Sequence, residues 1–209
     1  MSEKPILFSG AMVRAILDGR KTQTRRIVKH IPALGYPEDW CERAAGIVDM
    51  VGDYRRFCPY GQPGDRLWVR EAYALLADPG SMRSWDGPIP DERPTLERTQ
   101  LGHIPTPIYR CDGERSDVTS QLGRKLRWRP GIHMPRWASR ISLEVKAVRV
   151  ERLHDISEAD AEAEGVDPRG DGSARYRAAF RLLWCEIYGH ASWDANPWLW
   201  CVSFARVRP

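Results

Sequence analysis

The chain has 209 residues, 42% apolar and 29% charged, with a net charge of +4. That balance is ordinary for a globular core, and no apolar run is long enough for a membrane-spanning helix. Among the basic residues 27 of 32 are arginine, a side chain whose planar fork suits phosphates and whose flat face stacks on bases; a GC-rich gene would also raise arginine.

The N-terminus MSEKPILFSG lacks the apolar stretch of a secretion signal, so the cytoplasm is the expected location. The five cysteines include no Cys-x-x-Cys pair, and the five histidines do not sit near them at ligand spacing. Reduced thiols follow, with no metal and no cofactor expected.

In chain order, residues 5–8 (PILF) read as a short strand. Ser9 then caps a helix with Met12, Val13, Ile16 and Leu17 on its apolar face, and Gly19 ends it. Thr22 to Val28 reads as a strand with Thr22, Thr24 and Arg26 on one face. Residues 30–62 have no strong period and read as an irregular insertion. PGDRLWV then gives a turn and a strand, with Leu67 and Val69 alternating against Arg66, Trp68 and Arg70. Residues 78–107, with six prolines, read as a second loop-like excursion.

A strand is expected at 107–112 and a longer one at 139–152. In the longer strand the inward set Ile141, Leu143, Val145 changes phase at Val148, which suggests a bulge near Ala147. Ser157 and Asp160 make a capping pair for a short helix ending at Gly165. A helix over 174–188 carries Tyr176, Phe180, Leu183, Trp184 and Ile187 on one stripe. The chain closes on a strand alternating Trp198, Trp200, Val202 and Phe204. Several separated strands with few helices predict an α+β fold: one domain over 1–209, a small mixed β-barrel with peripheral helices.

Two patches carry possible chemistry. Residues 123–140 (GRKLRWRPGIHMPRWASR) hold Arg124, Lys125, Arg127, Arg129, Arg136 and Arg140 with no acid, interleaved with Trp128, His133 and Trp137. Charge that tracks phosphates beside rings that stack on bases suits a nucleic-acid strand. The plainer reading makes the tryptophans core and the arginines solvated or paired with distant acids.

The second patch is DGRKTQTRR. A threonine hydroxyl such as that of Thr24 needs a base, and a desolvated Lys21 near Arg20, Arg25 and Arg26 can become neutral enough to serve. An acid is also required. Equally, Thr24 is an ordinary strand residue and Lys21 an ordinary exposed one.

The set Gly19, Lys21, Thr24 and Arg26 resembles the Gly-x-Lys-x-x-Thr-x-Arg motif of ASCH (activating-signal-cointegrator homology) domains, which have the PUA-like fold. PGDRLWV, ISLEVKAVRVERL leading into ISEADAEAEGV, and WLWCVSF fall in that family's order, and the arrangement is similar to its phage and prophage stand-alone members. The smallest members lack residues 30–58 and 73–107.

The resemblance implies binding of RNA or a modified nucleoside. In its amidohydrolase branch it implies removal of the acetyl group from N4-acetylcytidine by Lys21, Thr24 and Glu164, with Glu162 the alternative acid. Arg20, Arg26, Trp68 and Arg70 join the 123–140 residues as base or nucleic-acid contacts, and Trp68 or Trp137 is the expected stacking surface. A binding module without catalysis, a ribonuclease using His133, and an accessory protein acting on a host protein through 78–107 remain alternatives. No membrane partner is expected.

Overall fold

A computed structural model describes residues 2–29, 54–78, 83–85, 89, 92, 105–112, 126–168 and 175–207. The expected irregular insertion at 30–62, most of the excursion at 78–107, and Arg124 and Lys125 therefore lie largely or wholly outside the described residues. No helix among the described residues is long and apolar enough to cross a membrane.

Eight strands and four α-helices are described. They are β1 (Glu3–Leu7), α1 (Gly10–Leu17), β2 (Gln23–Ile27), β3 (Arg66–Arg70), β4 (Tyr73–Asp78), β5 (Arg83–Ser84), β6 (Thr106–Tyr109), β7 (Ser142–Arg152), α2 (Glu158–Ala163), α3 (Tyr176–Tyr188), α4 (His190–Asp194) and β8 (Trp198–Val207). One sheet runs β1-β3-β7-β8-β2 and a second runs β5-β4-β6.

The larger sheet is mixed. Arg66 N–H bonds Ser2 O and Phe8 N–H bonds Arg70 O, so β1 and β3 run the same way. Val145 N–H bonds Asp65 O and Val69 N–H bonds Ile141 O, so β7 runs against β3. The fold is thus α+β as expected, but the expected barrel is not closed. The strand order leaves β1 and β2 at its two ends, and no pairing among the described residues joins them.

By contact the chain forms two compact units: Met1–Lys4, Ala15–Leu67 and Leu143–Pro209 make one, Pro5–Arg14 and Trp68–Ser142 the other. In the first, Leu153, Ile156, Ala161, Phe180, Trp184, Leu199 and Cys201 form a core. Phe180 and Trp184 come from the stripe expected on α3, while Ile187 is 46% exposed and lies off it. In the second, Tyr73, Leu75, Met134 and Ala138 pack together.

Local signals explain most elements. Ser9 Oγ accepts from Met12 N–H and starts α1, and Val13, Ala15 and Ile16 form its buried side. Ser157 Oγ accepts from Asp160 N–H at the start of α2. On β7 burial passes from Leu143 and Val145 to Val148, so the phase changes near Ala147 as expected.

Three expectations need correction. The segment 73–107, expected as a loop-rich insertion, opens on a strand, because Tyr73–Asp78 is a strand with a buried centre. Trp68 does not alternate outward from Leu67 and Val69; all three are buried. The last strand is buried on both faces, from Leu199 to Val202, rather than on one. In each case both sides of the strand are covered, which removes the period-two signal.

Candidate functional site

The first unit contains a buried cluster of ionic side chains built on the Gly19–Ile27 segment. Gly19 takes φ +77 at the end of α1, a left-handed conformation that favours glycine. Lys21 N–H then bonds Ala15 O, and Thr22 N–H bonds Ala163 O. The turn after α1 is therefore laced to the end of α2.

Gly165 permits that approach. At φ +76, an added Cβ there would stand 2.6 Å from Lys21 Cβ and 2.9 Å from Ala15 Cβ. Gly165→Ala is expected to destabilise the fold by about 2 kcal/mol or more, from backbone strain and overpacking. A lower denaturant midpoint at an unchanged slope checks it.

Lys21 Nζ donates to Glu164 Oε2 at 2.7 Å and to the Glu164 carbonyl at 2.8 Å. Both side chains are almost wholly buried. Burial lowers the lysine from its usual value; the Glu164 charge and hydrogen bond oppose this, and the charges of Arg26 and Arg25 add to the lowering. Glu162, the alternative acid, is exposed and lies near Tyr176, whose hydroxyl its charge pushes up.

Arg25 is the member that sequence reasoning placed only as a neighbouring charge. Its side chain is fully buried. It donates to Gln23 Oε1 at 2.7 Å, Glu164 Oε1 at 3.3 Å and Glu151 Oε2 at 3.1 Å, and it pairs with Asp160 at 3.5 Å. Arg149 ties Glu151 to Asp160. Cys201, opposite Arg25 in the sheet, donates its thiol to Glu151, and burial pushes that thiol up.

Lys21, Arg25 and Arg149 thus face Glu151, Asp160 and Glu164, so the charges balance. The sequence signal was Arg149 and Glu151, two residues apart on a strand and therefore on one face.

Burial alone would raise Asp160, but Ser157, Arg149 and Arg25 bring its carboxyl down to about 2. Backbone N–H groups of Ser2 and Gln62 do the same for Asp65, also to about 2. Both folded values lie below the ordinary 3.8. Their stabilisation is therefore present above pH 4 and lost as pH falls from about 4 to about 2. Asp160→Asn is expected to flatten that loss, read from urea midpoints across the window.

Thr24 is buried on β2, opposite Val202 of β8. Alternation turns Thr24 and Arg26 to one face of the strand and Gln23 and Arg25 to the other. The structure therefore joins Lys21 to Glu164 directly, while Thr24 sits on the face away from Arg25. Beside the turn lies a pocket of about 480 Å³, lined by Arg20, Thr22, Glu162, Val166, Asp167 and Tyr176 among others. Arg20 is exposed there and bonds Asp18 and Gly165 O.

The second unit holds the described part of the basic patch. Arg127, His133 and Arg136 are exposed. Arg136 reaches Ser142 Oγ at 3.4 Å. Arg129 is half-buried and donates to Trp85 O. Trp137 is half-buried against the Tyr73 and Met134 core. Trp128 is also half-buried, its indole N–H without an acceptor among the described residues.

Trp68 is 7% exposed, with the Arg70 and Arg136 guanidiniums 4.6 and 5.9 Å from its ring centre. A base can stack on it only if one of those groups moves.

Arg140 leaves the patch altogether. It grips the buried Glu71 carboxylate through Nε at 3.0 Å and Nη2 at 3.2 Å, bonds Asp112 at 2.7 Å, and lies 3.9 Å from the centre of the Tyr109 ring. Cys111 donates its thiol to Glu71 at 2.9 Å. Glu71 went unnoticed because it stands alone after a strand; Arg140 pairs with an acid 69 residues away.

No family model matches the chain, and no curated protein matches it. Among solved structures, one described as a crystal structure of an ASCH domain from Lactobacillus crispatus is similar over 98% of this chain and 79% of that one, at 12% identity and a TM-score of 0.40. At that score the likeness carries no argument about this site.

Proposed function

We propose that this chain is an ASCH-type protein that binds a cytidine acylated on its exocyclic amine, free or within RNA, and hydrolyses that amide using Lys21, Thr24 and Glu164. The observation that carries this reading is the buried 2.7 Å contact between Lys21 and Glu164, whose residues lie 143 apart in sequence. In a low-dielectric site a proton passing along that bond turns an ion pair into a neutral amine and a neutral acid.

Those are the two groups the reaction needs. The amine takes the Thr24 hydroxyl proton as Oγ bonds to the acyl carbon, and the Glu164 acid protonates the cytidine nitrogen as the C–N bond breaks. Water then cleaves the threonine ester, releasing acetate and restoring the hydroxyl. Lys21 must give up one Glu164 bond to Thr24 when substrate arrives.

A second reading, RNA binding without catalysis, is favoured by the placement of Thr24 on the face of β2 away from Arg25 and by the exposure of Arg20, Arg127, His133 and Arg136. Incubating the protein with N4-acetylcytidine and following loss of the acyl chromophore separates the two. Turnover supports hydrolysis. A folded protein that leaves the nucleoside intact, yet binds single-stranded RNA with affinity falling steeply with salt, supports the second.

A further inference from the structure

The Glu164 carboxylate is held at both oxygens: Lys21 takes Oε2 and Arg25 takes Oε1. Resting on the reading above, we propose that Arg25 is a positioning residue that fixes the Glu164 carboxylate against Lys21, so that the acid and the base keep one geometry. The fork is itself anchored from three directions, by Gln23 on β2, Glu151 on β7 and Asp160 on α2. Glu151 and Asp160 are in turn tied by Arg149. α3 contributes the Phe180 ring, 6.0 Å from the guanidinium.

The arrangement is a costly way to fill a core. Replacing buried ion pairs with apolar side chains is often neutral or stabilising. Arg25 Nε is moreover buried with no hydrogen-bond partner among the described residues, and an unsatisfied buried donor carries its own desolvation penalty. A planar fork that spans Glu164 and Glu151 while holding a fixed charge near Lys21 is something neither an apolar residue nor lysine supplies. The charged and titratable groups around the pair are Arg25 on β2, Arg149 and Glu151 on β7, Asp160 on α2 and the Cys201 thiol on β8. Arg26, on the other face of β2, adds its charge to the lowering of Lys21.

Two substitutions separate charge from geometry. Arg25→Lys keeps a cation and loses the fork; Arg25→Met loses both. The Lys21 amine is followed by nitrogen-15 NMR titration, Glu164 by crystal structures of the variants, and turnover of N4-acetylcytidine by kcat and KM across pH.

In Arg25→Lys the Glu164 carboxylate is expected to turn off Lys21, with kcat falling about 10- to 100-fold and KM unchanged. In Arg25→Met the Lys21 titration is expected to move to higher pH, because a neighbouring positive charge has gone. If either variant fails to fold, Glu151→Gln loosens Arg25 from its far end. Glu164 should then turn off Lys21 and kcat should fall in smaller measure, while the Lys21 titration should move to lower pH, because a neighbouring negative charge has gone.

The proposal is overturned if Glu164 stays on Lys21 in Arg25→Lys and the Lys21 titration is unmoved in Arg25→Met. It is also overturned if Arg25→Lys retains the full kcat of an active wild type. Absence of wild-type turnover, with the structural and titration changes present, removes the hydrolase reading and leaves the positioning role standing.

Discussion

Thr24→Ala is expected to lower turnover of N4-acetylcytidine by a factor on the order of 10³ or more, as loss of a covalent nucleophile does. Thr24 is 2% exposed, so the change removes a methyl and a hydroxyl from a packed strand. A thermal melt must first show that the variant folds. Ser at the same position keeps a hydroxyl and should restore much of the rate, which a purely structural threonine would not require. Equal turnover in Thr24→Ala and wild type would remove Thr24 from the chemistry and leave any hydrolysis to direct attack by water.

Glu164→Ala carries the largest expected effect on stability. The residue is 4% exposed and neutralises both Lys21 and Arg25. Removing it leaves three cations, Lys21, Arg25 and Arg149, facing two carboxylates, Glu151 and Asp160, beside a cavity. Breaking a buried pair from one side typically costs about 3–5 kcal/mol. For a chain of this size that corresponds to a melting-temperature drop of roughly 6–20 °C.

Glu164→Gln keeps the shape and two polar atoms, so it should lose less stability while still losing the acid. The contrast separates folding from chemistry: Gln should keep most of the melting temperature and little of the turnover. A melt of Glu164→Ala within a degree of wild type would mean that water enters the cluster and solvates the exposed charges.

Such water would also alter the balance that sets Lys21. Desolvation is the main cause of its lowering and Glu164 the main opposing influence. Wetting the site therefore moves the lysine back toward its ordinary value and weakens it as a base at neutral pH.

Much of the scaffold was written in local sequence. The cap at Ser9, the stop at Gly19, the phase change on β7 and the capping pair Ser157–Asp160 each depend on residues a few positions apart. Short-range rules read such spacings directly. Lys21 and Thr24 stood in a motif and Glu164 came from the family resemblance, and the choice between Glu164 and Glu162 was open because the match at AEAEG could slip by two residues.

Tertiary structure decided the rest. It carried Glu164 across 143 residues onto Lys21, brought Arg25 into three carboxylates from β7, α2 and the end of α2, and paired Arg140 with Glu71. It also buried Trp68 and turned Tyr73–Asp78 into a strand. Sequence determined which residues could be ionic or aromatic and where helices begin and end. Which charges meet was settled by strand pairing and helix docking, because a buried charge must find a partner wherever the fold places one, however far away in the chain.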